Sequence, residues 1–335
     1  MSGFSSHACP SRRGLLIAGA AALLAGCAST AIPPGPTVTA PAMTGDAFVM
    51  RDGARLPFRT WRPSSPPRAV VLALHGFNDS RDGWEMPAPD FAAAGIAVYA
   101  PDQRGFGEAP GRGAWPGSAA LVNDAADMTQ ALRARHPGTK LILMGESMGG
   151  SVLMLLATGP QRPDVDGYVL LAPAVWDRGR MNPFMRALLW LAGTMAPGLQ
   201  LSGPPPSVRI YATDNDDALR RLSRNPLTIL STRVDAVRGL ADLMDEAQAA
   251  AASFTAPALF LYGARDEIVP AEATKATWSA LPSGRVGLYP NGWHMLLRDL
   301  GRASPIGDTI AWIDNRTAPL PSGAEANART WLTAG

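Results

Sequence analysis

One serine stands in a local pattern that can make it a nucleophile. Ser147 is the centre of a G-x-S-x-G pattern at residues 145–149, between an apolar run at 141–144 and an expected helix at 149–158. A strand-to-helix turn this tight needs small residues on both sides of the serine, and its strain projects the hydroxyl above the sheet. A five-residue pattern recurs by chance, but in this context it predicts that Ser147 is a catalytic nucleophile.

A serine hydroxyl needs a base at neutral pH, and histidine is the natural candidate. Three histidines lie outside the expected leader: His75 ends the first core strand, His136 ends a helix, and His294 follows the last strand. The base needs a carboxylate that holds its tautomer and stabilises the imidazolium. Asp266 is the preferred carboxylate, and its neighbour Glu267 is the competing choice.

The developing oxyanion needs backbone N–H donors that are already in place. One donor is expected from Met148, which follows the nucleophile. The second should come from the turn after the first core strand, where it is assigned to Phe77. His75, in the same turn, is then expected to shape the turn and not to act as a second base.

Apolar runs alternate with helical segments along most of the chain. The expected strands are 69–74, 96–100, 141–144, 168–171, 258–262 and 286–289. The expected helices are 84–94, 118–135 with Ser118 as N-cap, 149–158 and 270–281. Alternation around Asp52-Gly53 predicts a hairpin over 46–61. Because continuous apolar runs are typical of strands buried on both faces, we expect an α/β class and a mostly parallel, doubly wound sheet.

Residues 173–256 break this alternation and far exceed a normal connection. They contain an apolar stretch and then a polar segment at 214–224. We interpret them as a mostly helical cap inserted between core segments 46–172 and 257–335, over the sheet edge where ligands bind in such folds. The alternative is a second core layer without a role at the site. If the cap contacts an acyl chain, its expected substrate-binding residues are Phe184, Leu188 and Trp190.

Residues 1–26 are typical of an export signal. Arg12-Arg13 precedes an apolar run at 14–26 that is too short to span a bilayer. The run ends in Leu24-Ala25-Gly26-Cys27, which resembles the lipobox of bacterial lipoproteins. That resemblance implies that Cys27 is diacylated and becomes the first mature residue. An ordinary secretory signal is the alternative, and export by the Sec or the twin-arginine route stays open.

The segment after the leader predicts a tether. Residues 27–45 are rich in small residues and prolines without periodicity. Ala28 follows the lipid-bearing cysteine, which by resemblance to lipoprotein sorting signals favours the periplasmic side of the outer membrane. Since Cys9 leaves with the leader and Cys27 is acylated, no disulfide, cysteine nucleophile or cysteine-based zinc site is expected.

Composition excludes several classes of protein. The 34 glycines and 31 prolines argue against a long helical bundle. The net charge of +2 falls to zero once Arg12 and Arg13 are removed, which gives no electrostatic case for nucleic acid. Only two lysines are present, Lys140 and Lys275, so a polybasic membrane patch is absent. No obligate protein partner is indicated.

A set of short motifs identifies a family resemblance. The motifs are Leu74-His75-Gly76-Phe77, Asp102-Gln103-Arg104-Gly105-Phe106-Gly107, Gly145-Glu146-Ser147-Met148-Gly149-Gly150, Gly263-Ala264-Arg265-Asp266-Glu267-Ile268-Val269, Trp293-His294 and, in the cap, Arg224-Asn225-Pro226-Leu227. Together they resemble the monoacylglycerol lipase and lysophospholipase branch of the α/β-hydrolases, also grouped as serine aminopeptidase-like, over roughly residues 46–315. The sequence departs from relatives after Gly107, where Glu108-Ala109 replaces a serine that usually supports the turn.

The resemblance implies an α/β-hydrolase fold with a triad in the order Ser147, Asp266, His294, because the base of this fold comes from a loop near the C-terminus. It implies a carboxylic-ester hydrolase that works through an acyl-enzyme, without metal or cofactor, on a monoacylglycerol or lysophospholipid-like ester. Amide or peptide hydrolysis, acyl transfer and perhydrolysis are alternatives on the same triad. A non-catalytic envelope lipoprotein is the alternative of another class.

Overall fold

A computed structural model of the chain describes residues 34–176, 178–180, 184, 191, 193–202 and 210–334. The strands are β1 (Ala42–Met43), β2 (Ala47–Val49), β3 (Arg55–Trp61), β4 (Ala69–Leu74), β5 (Ile96–Pro101), β6 (Lys140–Glu146), β7 (Gly167–Leu171), β8 (Gln200–Leu201), β9 (Thr232–Arg233), β10 (Ala258–Gly263) and β11 (Arg285–Tyr289). The α-helices are α1 (Ala88–Ala93), α2 (Ser118–Arg135), α3 (Met148–Thr158), α4 (Asp216–Arg224), α5 (Val234–Ala250), α6 (Ala271–Ala280), α7 (Ala303–Asp314) and α8 (Ala324–Thr333). Short 3-10 helices cover Arg81–Trp84, Arg178–Arg180 and Ala251–Ser253.

The central sheet is mostly parallel. Its order is β1-β2-β3-β5-β4-β6-β7-β10-β11, and the six strands from β5 to β11 in that order run parallel. Every residue of β4, β5, β7 and β10 is buried, as expected for strands covered by helices on both faces. All six strands that the apolar runs predict are present, with bounds that differ by at most two residues.

The predicted hairpin forms the antiparallel end of this sheet. Strands β2 and β3 pair around Asp52-Gly53, and the positive φ of Gly53, 80°, suits the turn. Strand β3 then pairs antiparallel with β5, which joins the hairpin to the parallel strands. The side chain of the buried Arg104 donates hydrogen bonds to Asp52 and to Asp124 of α2. Arg104 therefore links the hairpin turn to helix α2.

Helices cover both faces of the sheet. Buried side chains of α2, α3 and α5 pack in the core on one face. Those of α1 and α7 pack in the core on the other face. Helix α8 packs against the edge strand β11. The doubly wound α/β fold predicted from the alternation is therefore confirmed.

Two predicted helix starts were wrong. The expected helix at 84–94 is a 3-10 turn followed by α1, because Pro87 and Pro89 lack the N–H donors of a continuous helix. It does end before Gly95, whose φ is 78°. At the start of α2, Gly117 occupies the N-cap with a φ of 95°, and Ser118 is the first helical residue without a capping side-chain bond.

In the described part of 173–256, the α-helices α4 and α5 have different surroundings. Helix α5 packs against α3 and buries Ala236, Leu243 and Ala247 in the core. Helix α4 buries only Ala218. Strands β8 and β9 form a separate antiparallel pair that joins residues 200–201 to 232–233. Among the described residues, no helix is both long enough and apolar enough to cross a membrane.

Candidate active site

Ser147 lies in a sharp turn between β6 and α3. Its backbone is left-handed, with a φ of 52° and a ψ of −118°, which is strained for a residue other than glycine. The flanking glycines permit this turn through close approach. A Cβ on Gly145 would lie 2.5 Å from the carbonyl carbon of Gly149, and a Cβ on Gly149 would lie 2.4 Å from the oxygen of Leu74. The predicted need for small residues on both sides of the serine has this physical cause.

We expect Gly149→Ala to destabilise the protein by about 3 kcal/mol or more, since its Cβ would displace the backbone of β4. Gly307→Ala is the matched control. Gly307 is also helical, but nothing lies within 4 Å of its added Cβ, so the change should stabilise by up to about 1 kcal/mol. Thermal melts of the full chain measure both. Equal melting temperatures for the two variants would contradict this packing argument.

His294 and Asp266 meet at the carboxyl edge of the sheet, in the loops that follow β11 and β10. The Nδ1 of His294 lies 2.8 Å from Oδ2 of Asp266, whose side chain is fully buried. The other carboxylate oxygen, Oδ1, accepts the backbone N–H groups of Ile268 and Val269 at 2.7 and 2.9 Å. The carboxylate is therefore held in place, and it can fix the imidazole with a proton on Nδ1.

The competing residues have other contacts. Oε2 of Glu267 accepts the backbone N–H of Tyr211 at 2.7 Å. Nδ1 of His75 donates to the carbonyl of Gly76 at 2.8 Å, and its Nε2 accepts the N–H of Gln103 at 3.1 Å. These bonds occupy both ring nitrogens of His75, as a turn-shaping role requires. The Nε2 atom of His136 lies 2.9 Å from the hydroxyl of Tyr99.

The charge state of His294 is set by opposing effects. Burial disfavours the imidazolium and lowers the pKa of His294. The attraction and hydrogen bond of Asp266, with the negative charge of Glu146, outweigh burial and raise that pKa above its usual value, while Arg298 opposes them. A base whose pKa lies above its ordinary value suits proton abstraction near neutral pH.

The two predicted oxyanion donors flank the nucleophile. Met148 is the first residue of α3, so its N–H has no acceptor within that helix. Phe77 lies in the turn after β4, and its neighbour Gly76 would place a Cβ 3.4 Å from the Cβ of Ser147. This turn therefore lies directly beside the nucleophile. The donor roles of Phe77 and Met148 stay predictions.

A cavity of about 910 Å³ opens onto Ser147 and His294. Part of its wall is polar and includes Asp79, Glu146 and Arg298, which bond to one another, as well as the two candidate catalytic side chains. Most of the remaining wall is apolar and consists of Phe77, Trp176, Leu219, Leu222, Ile229, Leu230, Leu240, Met244, Ile268, Val269 and Met295. Leu219 and Leu222 come from α4. The sequence of α4 is mostly charged, and these two leucines were not identified from the sequence as candidate substrate contacts. The spacing of three residues, which puts them on one helix face, was the available signal.

The loop of His294 is fastened to residues 212–215 of the long interval. The N–H of Trp293 donates to Oδ2 of Asp299 at 2.7 Å, and the hydroxyl of Thr213 donates to its Oδ1 at 2.6 Å. Burial raises the pKa of Asp299 to about 6. The N–H of Met295 donates to the carbonyl of Ala212 at 2.9 Å. Residues 212–215 therefore hold the loop that carries His294 in place, in addition to the residues of 173–256 that line the cavity. This contact with the His294 loop was not predicted from the sequence.

Comparison with known proteins identifies the family. Residues 65–301 match the family model described as serine aminopeptidase, S33 (Hydrolase_4). The chain belongs to this family. The monoacylglycerol lipase of Mycolicibacterium smegmatis is 27% identical over 282 residues, which are 80% of this chain and 95% of that protein.

Solved structures agree with this assignment. The crystal structure of Paleococcus ferrophilus monoacylglycerol lipase matches with a TM-score of 0.64 and 25% identity, covering 77% of this chain and 98% of that chain. A soluble variant of monoglyceride lipase from Saccharomyces cerevisiae, in complex with a substrate analogue, has the same fold, with a TM-score of 0.67, 20% identity and coverage of 86% and 100%. This member of the S33 family is a serine ester hydrolase of the monoacylglycerol lipase-like branch of the α/β-hydrolases.

The departure from relatives at Glu108-Ala109 leaves an ordered turn. The N–H of Glu108 donates to Oδ2 of Asp102 at 2.8 Å, and the Glu108 carboxylate accepts Nη2 of Arg81 at 2.6 Å. Ala109 is buried in the core. The ion pair with Arg81 supports this turn of the family member in the absence of the usual serine.

Several predicted residues lie outside this geometry. Phe184 is 73% exposed and is not part of the described cavity wall. Leu188, Trp190 and Cys27 lie outside the described residues. Contact of Phe184, Leu188 and Trp190 with an acyl chain stays a prediction, and so does acylation of Cys27. Within the described ranges, no group of three or more histidine, cysteine or acidic side chains is placed to hold a metal ion.

Proposed function

We propose that this S33 family member hydrolyses the ester of a single-chain lipid, a monoacylglycerol or a lysophospholipid, by covalent catalysis at Ser147. The observation that carries the proposal is the mostly apolar wall of the cavity that Ser147 and His294 also line. Its volume suits a drug-sized or single-chain ligand. The relatives named monoacylglycerol lipase add support for this class of ester.

The first half of the reaction forms an acyl-enzyme. Oγ of Ser147 attacks the ester carbonyl carbon while Nε2 of His294 takes its proton. Asp266 accepts the Nδ1 proton of the imidazolium in a hydrogen bond and stabilises its charge. The N–H groups of Phe77 and Met148 stabilise the oxyanion. As the tetrahedral intermediate collapses, the C–O bond of the ester breaks and His294 protonates the leaving alcohol.

The second half releases the fatty acid. A water molecule loses a proton to Nε2 of His294 and attacks the acyl carbon. The second tetrahedral intermediate breaks the bond to Oγ of Ser147, which regains the proton from His294. The acid leaves, and the serine and histidine return to their starting protonation states.

A p-nitrophenyl ester series from acetate to palmitate tests the lipid substrate with the full chain. A buried methylene contributes about 0.8 kcal/mol, so kcat/KM should rise about fourfold per methylene until the chain fills the cavity. Leu219→Ala should lower activity on the long esters about tenfold and leave acetate nearly unchanged. Leu300→Ala, at a 69% exposed leucine, is the matched control.

Two outcomes would contradict the proposal in different ways. Activity confined to acetate and butyrate would keep ester hydrolysis and exclude the lipid substrate. Hydrolysis of aminoacyl amides with no ester hydrolysis would contradict ester hydrolysis as the reaction. The second outcome would favour the peptidase alternative that the same triad permits.

We further propose that the enzyme acts from a lipid anchor at Cys27 on the periplasmic side of the outer membrane, on the sequence grounds given above. The reach of the 27–45 tether would place the cavity near membrane lipid. Fractionation of bacterial cells tests this location. The full chain should sediment with outer membranes, and Cys27→Ser should release it. Equal release of both proteins would contradict the anchor.

A further inference from the structure

A buried arginine, Arg298, joins the three loops that carry the proposed catalytic groups. Its Nη1 donates to Oδ2 of Asp79 at 2.8 Å, and its Nη2 donates to Oε1 of Glu146. Asp79 lies two residues after Phe77, Glu146 immediately precedes Ser147, and Arg298 itself lies four residues after His294. The three charged residues are each at most 6% exposed, and all of them line the cavity.

The contacts around this cluster leave it little freedom. Oδ1 of Asp79 accepts the N–H of Ser80 at 2.8 Å, and only a glycine at position 83 allows the Asp79 carboxylate to approach, since a Cβ there would lie 2.7 Å from it. The backbone of Arg298 donates to the carbonyl of Met295 at 2.7 Å and accepts the side-chain amide of Asn215 at 2.8 Å. The guanidinium therefore links three loops that come from distant parts of the sequence.

We propose that Arg298 is a positioning residue for the ester hydrolysis. Through Asp79 and Glu146, it holds the Phe77 turn and the Ser147 turn at fixed positions relative to the His294 loop. The proposal rests on the function proposed above. Buried ion clusters contribute little net stability compared with apolar packing of the same volume. The planar guanidinium can instead hold two carboxylates with donors in fixed directions, whereas the three donors of a lysine ammonium rotate and fix no such geometry.

The same cluster carries charge that acts on the base. His294 is faced by Asp266 from the loop after β10, by Glu146 from the end of β6 and by Arg298 from its own loop. Asp266 and Glu146 favour the imidazolium, whereas Arg298 disfavours it. The other ionisable groups on the cavity wall are Asp79, which is paired with Arg298, and Asp216 and Arg220, which are exposed and of opposite sign.

The test is a set of pH profiles of kcat and kcat/KM for p-nitrophenyl butyrate with the full chain. Glu146→Gln should shift the acid limb of kcat/KM to lower pH, because it removes a charge that raises the pKa of His294. Arg298→Met should shift that limb to higher pH and lower kcat about 10²-fold with a smaller change in KM. Arg298→Lys should keep the limb near its original pH but still lose kcat, because the charge remains and the planar fork does not.

Controls separate positioning from folding. Titration with a fluorophosphonate gives the fraction of intact sites, so kcat is expressed per reactive serine. If Arg298→Met does not fold, Glu146→Gln with Arg298→Met removes both partners of one ion pair and reports the same loss of kcat. Arg302→Met, at a nearby arginine outside the cavity wall, should behave as the original chain.

The outcomes distinguish this proposal from the proposed function. No ester hydrolysis by the unaltered chain would contradict the function itself. Hydrolysis by the unaltered chain, with unshifted acid limbs and normal kcat per reactive serine in the Arg298 and Glu146 variants, would overturn the positioning role alone. Opposite shifts of the limb, with kcat lost in both Arg298 variants, would support it.

Discussion

Replacing Ser147 with alanine is expected to lower kcat for p-nitrophenyl butyrate by at least about 10⁴-fold. The variant lacks the only atom placed to attack the ester in the proposed mechanism, and the residual rate comes from water acting in the remaining site. The variant should fold, because alanine is smaller than serine and adds no new contact. The positive φ at position 147 is strained for serine and for alanine alike, so the substitution adds little strain. Steady-state hydrolysis by the full chain gives the measurement.

Ser151→Ala is the matched control for that loss. Ser151 lies one turn further along α3 and does not line the cavity. Its hydroxyl donates to the carbonyl of Ala174 at 2.5 Å and, at 3.3 Å, to the backbone carbonyl of Ser147, so the variant keeps the nucleophilic hydroxyl itself. Its loss should cost about 1 kcal/mol of stability and leave kcat within a few-fold. If Ser147→Ala keeps more than about a tenth of the activity, Ser147 is not the nucleophile of the reaction.

The second large effect is expected at Asp266. Asp266→Asn should lower kcat by about 10³- to 10⁴-fold at neutral pH. Oδ1 of Asp266 accepts two backbone N–H groups, so the asparagine must place its oxygen there and turn its NH₂ towards His294. Nδ1 of His294 would then accept this hydrogen bond, and Nε2 would carry the proton. A histidine in that tautomer cannot take a proton from Ser147.

The neighbouring carboxylate provides a control of the same chemical type. Glu267 bonds to the backbone N–H of Tyr211 and not to His294, so Glu267→Gln should change kcat by less than about threefold. Kinetics of both variants at several pH values complete the comparison. A large loss in Glu267→Gln with little change in Asp266→Asn would exchange the roles of the two residues.

The elements that carry Ser147, Asp266 and His294 could be predicted because they follow local rules. Apolar runs such as 69–74 are buried on both sides in the structure, and parallel strands bring their carboxyl ends to one edge. Residues just after β6, β10 and β11 must therefore meet there. The 2.8 Å contact between His294 and Asp266 follows from that placement.

Other parts of the site depend on contacts that no local pattern reveals. Arg298 reaches Asp79 and Glu146 across 219 and 152 positions of sequence. Helix α4 has a charged sequence, and only its packing shows that Leu219 and Leu222 line the cavity. The helix break at Pro87 was a local signal that the prediction of one helix over 84–94 did not use.

The mass of the protein during turnover tests the covalent mechanism most directly. The full chain is mixed with p-nitrophenyl butyrate, quenched in acid within the first turnovers, and examined by intact-protein and peptide mass spectrometry. The mechanism predicts a butyryl adduct on the peptide that contains Ser147, released on further incubation and absent in Ser147→Ala. Ester hydrolysis without an adduct, or an adduct on another residue that turns over at the same rate, would contradict nucleophilic catalysis by Ser147.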